Sequence, residues 1–357
     1  MCMGQQNPPA ACTGKTVPLL FKDTKQQKRY ICALGMILLM VAVAEMLHEK
    51  EILFPEMAAL VIGMWIVDKR VWKVRCWQML WLMTLGAGAG VLIVLYSSLP
   101  LAFNVTLAFL FAAVCLLFAR SSLFPLISAC VLPVLLGTKS WIYPLSVFVM
   151  TLIIISVQRW METGGLRNVI TYEPVERHWP VDVKRWIYLL ISVFFVSCLA
   201  VYTSNFYFII PPLIVAYVEF VNSKSGFRNR PVLTVLLLVT GSLVGTFFQW
   251  IGYYCLGLPE TVVAFIVFVV LFLIFEWLGK LFAPVGALAL IPMLLPPDAL
   301  VWLPLQVLVG ASLFIAMGMI FFQQCYKWSR AQLIYCLIPH YLLGRLHRVN
   351  QRNAFEL

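Results

Sequence analysis

Apolar residues along this chain gather into long unbroken runs separated by short polar or basic breaks, with no sustained alternation of apolar and polar positions. Runs of about 17 to 25 residues fit the roughly 20 that an α-helix needs to cross the hydrocarbon of a bilayer. The breaks divide the chain into twelve predicted helices, at about Tyr30–Leu47, Leu53–Val67, Cys76–Tyr96, Pro100–Ala119, Phe124–Leu136, Trp141–Val157, Trp186–Tyr202, Phe206–Val221, Pro231–Leu256, Glu260–Leu278, Phe282–Leu295 and Leu300–Phe322. The second, fifth, eighth and eleventh are short. Each carries proline at or near its start: Pro55, Pro125, Pro211 with Pro212, and Pro284. Proline suits a first helical turn because the N–H it lacks would have no partner there.

The short helices repeat. Pro125 and Pro284, like Pro133 and Pro292, are 159 positions apart, Pro55 and Pro211 are 156 apart, and Gly86-x-x-x-Gly90 precedes Gly241-x-x-x-Gly245 by 155. Helices one to six therefore match helices seven to twelve in the same orientation. Inside the first half, Phe54-Pro55 and Phe124-Pro125 lie 70 apart, and Ala59 and Val61 match Ala129 and Val131. Those two helices start from opposite faces. The expected fold is an all-α membrane protein of about twelve transmembrane helices, in two parallel six-helix halves, each a 3+3 inverted repeat. The chain divides into a cytoplasmic tail 1–29, a first half 30–157, a connector 158–184, a second half 185–324 and a basic tail 325–357.

Composition narrows the class. With 62% hydrophobic and 11% charged residues, the chain holds more apolar surface than a soluble core hides. No polar block is long enough for a separate soluble module, so catalysis is not expected. The net charge of +11 does not imply nucleic acid, because the basic residues are scattered between apolar runs. They read as topology signals. If both tails are cytoplasmic, all of the 26 Lys and Arg except Lys50 and Lys139 fall on that side. The expectation is a multi-pass protein of the bacterial inner membrane. Met1 to Thr16 lack the apolar region of a cleaved signal peptide.

Ten cysteines without a CxxC pair read as small core residues. The four histidines, His48, His178, His340 and His347, form no ligand spacing, so neither metal nor cofactor is expected. The glycine patterns lie inside spans and read as close-packing faces, not phosphate loops. The polar segment from Arg159 to Lys184 and the tail from Arg330 to Arg352 read as a connector and a topology anchor. The rival reading is a partner-docking segment and an interfacial helix. Oligomeric state is open, with a homo-oligomer compatible.

The candidate chemistry sits at the short helix starts. A helix N-terminus carries partial positive charge and free N–H groups, so it holds an anion without burying a lysine. Pro125, Leu126, Ile127 and Ser128 are placed around one such end and Pro284, Val285, Gly286 and Ala287 around its mate, with Pro55 and Pro212 heading the inverted partners. Backbone groups are expected to do most of the binding of a small-molecule or ion substrate. Buried acids are costly in a span and tend to be functional, which makes Glu56 and Glu219 the proton-coupling candidates. Should both stay ionised, a cationic or zwitterionic solute fits better than an anion. Glu45 reads as an outer-edge residue, and Glu276 with Lys280 as an i, i+4 ion pair.

The second half adds a resemblance. Pro211-Pro212-Leu213-Ile214-Val215-Ala216, then Phe227-Arg228-Asn229-Arg230-Pro231-Val232, then Gly241 to Gly245 and Ala283-Pro284-Val285-Gly286-Ala287-Leu288-Ala289-Leu290 resemble the HPP family of integral membrane proteins. Coverage is about residues 205 to 320, with a weaker copy over 50 to 155. Phe282-Ala283-Pro284 stands where the family has His-Pro-Pro, and the chain looks duplicated where typical members carry one copy. The resemblance implies passage of a small inorganic anion, nitrite first.

Overall fold

A computed structural model describes residues 24–68, 71–169, 172, 174–176, 178–222 and 230–325. Both expected tails lie largely outside these residues, as do Lys69, Arg70, Lys224, Phe227, Arg228, Asn229, His340 and His347. Among the described residues the fold is all-helical. The helices are α1 (Thr24–Leu47), α2 (Glu56–Val61), α3 (Cys76–Tyr96), α4 (Leu101–Phe118), α5 (Pro125–Leu136), α6 (Ile142–Thr163), α7 (Trp179–Tyr202), α8 (Pro211–Asn222), α9 (Pro231–Phe248), α10 (Glu260–Leu278), α11 (Ala283–Leu290), a single turn α12 (Pro297–Leu300) and α13 (Leu303–Cys325). Wider π-type turns extend α2 through Ile62–Ile66 and α9 through Gln249–Cys255.

Eight of the helices are long and apolar enough to cross a membrane, and each buries only 39 to 50% of its most apolar stretch. The exposed remainder is itself hydrophobic, as at Leu85, Phe118, Ile191, Phe195, Phe265 and Trp277. Water would penalise that surface, whereas lipid tails match it. The chain is a multi-pass integral membrane protein.

The four proline-headed segments differ from these eight in length and in burial. Every residue of α2 and α11 is buried, and only one or two at the C-terminal ends of α5 and α8 are not. The 12 residues of α5 extend about 18 Å, short of the ~30 Å hydrocarbon thickness. Pro125 starts α5, and Gly137 ends it in the left-handed region at φ 69°. Pro292 turns the end of α11 into a 3-10 turn, Ile291–Leu294, because it supplies no N–H and crowds the preceding turn. The long helices thus ring a core of short ones.

Helix ends depart from the apolar runs where polar residues continue the backbone ladder. α1 is already helical at Thr24, α6 runs on to Thr163 and α7 begins at Trp179, so the expected connector is partly helical. Hydropathy marks the lipid-facing part of a helix and not its whole length. One edge expectation changes too. Glu276 does not pair with Lys280: its carboxylate accepts from the Tyr30 hydroxyl and from Gln26 Nε2 at 3.3 Å. Gly279, at φ 59°, ends α10 first and carries Lys280 off the helix. Glu45 caps α10, accepting from the N–H groups of Glu260 and Thr261 at 3.0 Å each and from the Thr261 hydroxyl at 2.6 Å. The six cysteines whose side chains are described are free thiols; of them only Cys130 is buried, Cys32, Cys76, Cys115 and Cys198 are half-buried and Cys255 is exposed, so most lie outside the expected core.

The glycine patterns face the short helices. A Cβ on Gly90 would stand 2.3 Å from the Cys130 carbonyl oxygen, and one on Gly245 2.4 Å from that of Ala289. One turn earlier, a Cβ on Gly86 would meet the Leu126 side chain and one on Gly241 the Val285 side chain, each at 2.5 Å. Partners across the chain correspond in the same way: α4 packs on α7 and α10 on α1, while α5 packs on α8 and α11 on α2. Tyr30 meets Phe272 edge-on with ring centroids 5.0 Å apart, and Trp186 meets Phe109 at 6.0 Å.

Backbone cannot yield as a side chain end can. Gly90→Ala and Gly245→Ala are each expected to destabilise the protein by about 1–3 kcal/mol. Gly88→Ala, on the same helix with nothing within 4 Å, should stay within about 0.5 kcal/mol of wild type. Thermal unfolding in one detergent, compared across the three variants, checks this.

Candidate functional site

Leu53 and Phe54 are buried and non-helical, and they carry the chain inward before α2 starts. That places Glu56 deep: its side chain is 1% exposed. One carboxylate oxygen, Oε1, accepts a hydrogen bond from the Ser128 hydroxyl of α5. The other, Oε2, is buried and has no partner among the described residues. Ser128 precedes Gly137 by nine residues along α5, about 14 Å of helix, or roughly half the hydrocarbon thickness.

α6 closes the other side. The Tyr143 hydroxyl donates to the Ala129 carbonyl at 3.2 Å, and the Ser146 hydroxyl to the Ile52 carbonyl at 2.8 Å. Phe54 packs edge-on against the Tyr143 ring at 6.1 Å. Beyond Tyr143 lies a cavity of about 260 Å³, walled by Tyr143, Leu53, Leu294 and the C-terminal end of α5 from Leu132 to Thr138, with Lys50 and Glu51 also lining it. Lys50 Nζ donates to the Met293 carbonyl at 3.2 Å and lies 3.8 Å from Glu260. Tyr143 is thus shared by the cavity wall and by the shell around Glu56.

The second buried acid has a different neighbourhood. Glu219 accepts from Trp72 Nε1 at 2.9 Å. The Trp72 ring in turn lies over Gly63, where an added Cβ would stand 2.5 Å from it. A smaller cavity of about 90 Å³ borders Trp72 and Gly63, together with Gln158, Glu162 and Arg167. Gly63 follows Glu56 by seven residues, about 10 Å along the helix, so the two acids are separate features.

All ten residues expected to cradle a substrate, namely Pro55, Pro125, Leu126, Ile127, Ser128, Pro212, Pro284, Val285, Gly286 and Ala287, are buried. None lines the two cavities above. The first-turn N–H groups meant for the ligand are already engaged by preceding carbonyls: Met57 by Phe54, Ala58 by Pro55, Leu126 by Leu123, Ile127 by Phe124, Leu213 by Ile210 and Val285 by Phe282, at 2.9 to 3.1 Å. Tight turns that enter a helix from its own upstream chain satisfy the donors that a bare helix start leaves free. Gly286 packs instead against Ile62 and Ala58 of the α2 segment. The donors expected to form a backbone cradle are thus already bonded, and the polar side chains gathered there are Glu56, Ser128 and, through the Ala129 carbonyl, Tyr143.

Comparisons with family models, with curated proteins and with solved structures returned no match to this chain. Of the functional candidates, Glu56 and Ser128 are brought together, and Glu219 stands apart from both. Tyr143, Lys50 and Trp72 were not legible as site residues. Lys50 had a signal, being one of two basic residues on the sparsely charged side. Tyr143 had none beyond a hydroxyl near the start of an apolar run.

Removing the indole donor should leave the Glu219 carboxyl buried without its partner. Trp72→Phe is expected to cost about 1–3 kcal/mol, and Trp72→Phe with Glu219→Leu less than the sum of the single changes. A double-mutant cycle on thermal unfolding reads the coupling.

Proposed function

We propose that this chain is a secondary transporter of a small solute, a small inorganic anion such as nitrite first, with a proton carried on Glu56. The observation that carries this reading is the buried contact of Glu56 with Ser128 at the meeting of two short helices. An ionised carboxylate without a cation is costly at membrane depth, and a bound proton removes that cost. With the proton on, Glu56 no longer repels an anion, and the Ser128 hydroxyl beside it can donate to one. Proton and anion would then move together. Lys50, at the cavity beyond Tyr143, would attract the anion from outside.

The proposed architecture is twelve helical segments in two parallel six-helix halves, each an inverted pair. Supporting it, Gly86 and Gly90 meet Leu126 and Cys130, while Gly241 and Gly245 meet Val285 and Ala289, in one register. The exchange of α4 and α5 onto α7 and α8, and of α10 and α11 onto α1 and α2, supports it too. The charge distribution supports cytoplasmic termini in a bacterial inner membrane. The resemblance of residues 205 to 320 to the HPP family points to the same class of activity.

A cationic or zwitterionic solute is the second reading. It is favoured by one observation: among the described residues neither Glu56 nor Glu219 forms an ion pair.

Uptake into proteoliposomes of nitrite, nitrate, formate and amino acids, with and without an acid-outside pH gradient, separates these readings. Nitrite uptake is expected to rise with the gradient, and Glu56→Gln should cut the gradient-driven part roughly tenfold, the scale of one lost charge-assisted contact. Ser128→Ala should have a smaller effect in the same direction. Gradient-driven uptake that survives intact in Glu56→Gln would remove the proton role. Flux of amino acids alone would favour the second reading, and flux of nothing would favour a non-transporting membrane subunit.

A further inference from the structure

We propose that one end of the bundle carries a binding site for the phosphate of an anionic phospholipid, formed by Arg75, Arg120 and Arg159 around an open cavity of about 870 Å³. The three come from different elements: Arg75 immediately precedes α3, Arg120 follows α4, and Arg159 lies late in α6. All three are exposed, and among the described residues none forms an ion pair. Like charges converging on one cavity, with no acid among its described lining residues, repel each other, and a phosphate relieves that repulsion while offering oxygens to each guanidinium fork.

The rim is held in place. Gln78 Nε2 donates to the Ala119 carbonyl at 2.5 Å, and the Lys73 N–H donates to the Ser122 hydroxyl at 2.8 Å, so the segment before α3 is fastened to the one after α4. Arg120 takes the left-handed conformation at φ 47°, and its carbonyl accepts from the Val175 N–H at 3.2 Å. Tyr172 lies against Arg75, with the guanidinium 4.9 Å from the ring centre. Residues around the connector thus help shape the cavity.

The choice of a lipid over a free phosphate rests on two neighbours. Trp77 is 61% exposed and Phe118 73% exposed, and both line the cavity. A soluble phosphate has no use for them, whereas an acyl chain lies along such surface and tryptophan favours the headgroup level. Basic pockets between spanning helices bind anionic headgroups on this pattern.

The test uses the purified full chain in detergent, with retained lipid counted by native mass spectrometry. Wild type is expected to prefer phosphatidylglycerol over phosphatidylcholine. The triple variant Arg75→Gln, Arg120→Gln, Arg159→Gln should lose about tenfold or more of that preference, while Lys139→Gln keeps it. Trp77→Ala should weaken retention of phosphatidylglycerol. Inorganic phosphate and glycerol phosphate should compete poorly, and equal competition by either would overturn the lipid assignment. An unchanged preference in a triple variant that is folded by circular dichroism would overturn the site. If that variant does not fold, Arg120→Gln and Arg159→Gln singly decide, each with an expected loss of about threefold and no loss counting against the site.

Discussion

Contact between glycine Cα atoms and carbonyl oxygens sets the geometry on which the rest of this protein depends. Lipid tails are as apolar as leucine, so nothing like a hydrophobic effect presses membrane helices together. Close approach has to come from shape. Gly90 against Cys130 and Gly245 against Ala289 let two long helices lie directly on two short ones. The short helices do not need to reach both faces of the bilayer, because the long ones enclose them.

The candidate chemistry turns on how buried polar groups are satisfied. At the start of each short helix, N–H groups turn back to the preceding carbonyls, leaving the backbone little to offer a ligand. Side chains carry the polarity instead. Ser128 reaches Glu56, and Tyr143 reaches the adjacent carbonyl of Ala129. In hydrocarbon a polar group without a partner is expensive, and Glu56 Oε2, buried with no partner among the described residues, is one such group, on which the proposed proton would act. The two candidate acids are also unequal. Glu56 shares its carboxyl with a neighbouring short helix, whereas Glu219 is held by an indole that occupies the space a glycine leaves open.

The ends of the bundle follow ordinary interfacial physics. Glu45 supplies the acceptor that the start of α10 lacks, across a sequence gap of more than two hundred residues. Glu276 turns to Tyr30 on α1 because the helix stops before Lys280 can reach it. At another edge Arg75, Arg120 and Arg159 gather with no ion pair among the described residues, beside the exposed Trp77 and Phe118.

Apolar runs and prolines along the chain already mark the membrane class, the all-helical fold and the places of the short, proline-headed segments. Those depend on run length, proline and glycine, whose effects are local and additive along the chain. The sequence also marked Gly86, Gly90, Gly241 and Gly245 as packing faces, although not which helix each would touch. Tertiary structure alone decided that Glu56 meets Ser128, that Trp72 holds Glu219 and that the helix-start donors are spent on their own upstream carbonyls. Such pairings arise where distant segments come within hydrogen-bond reach, and no periodicity or composition encodes that distance. Among the described residues eight helices are long enough to span, against twelve apolar runs in the chain: apolar length is written locally, but whether a segment is enclosed depends on what packs around it.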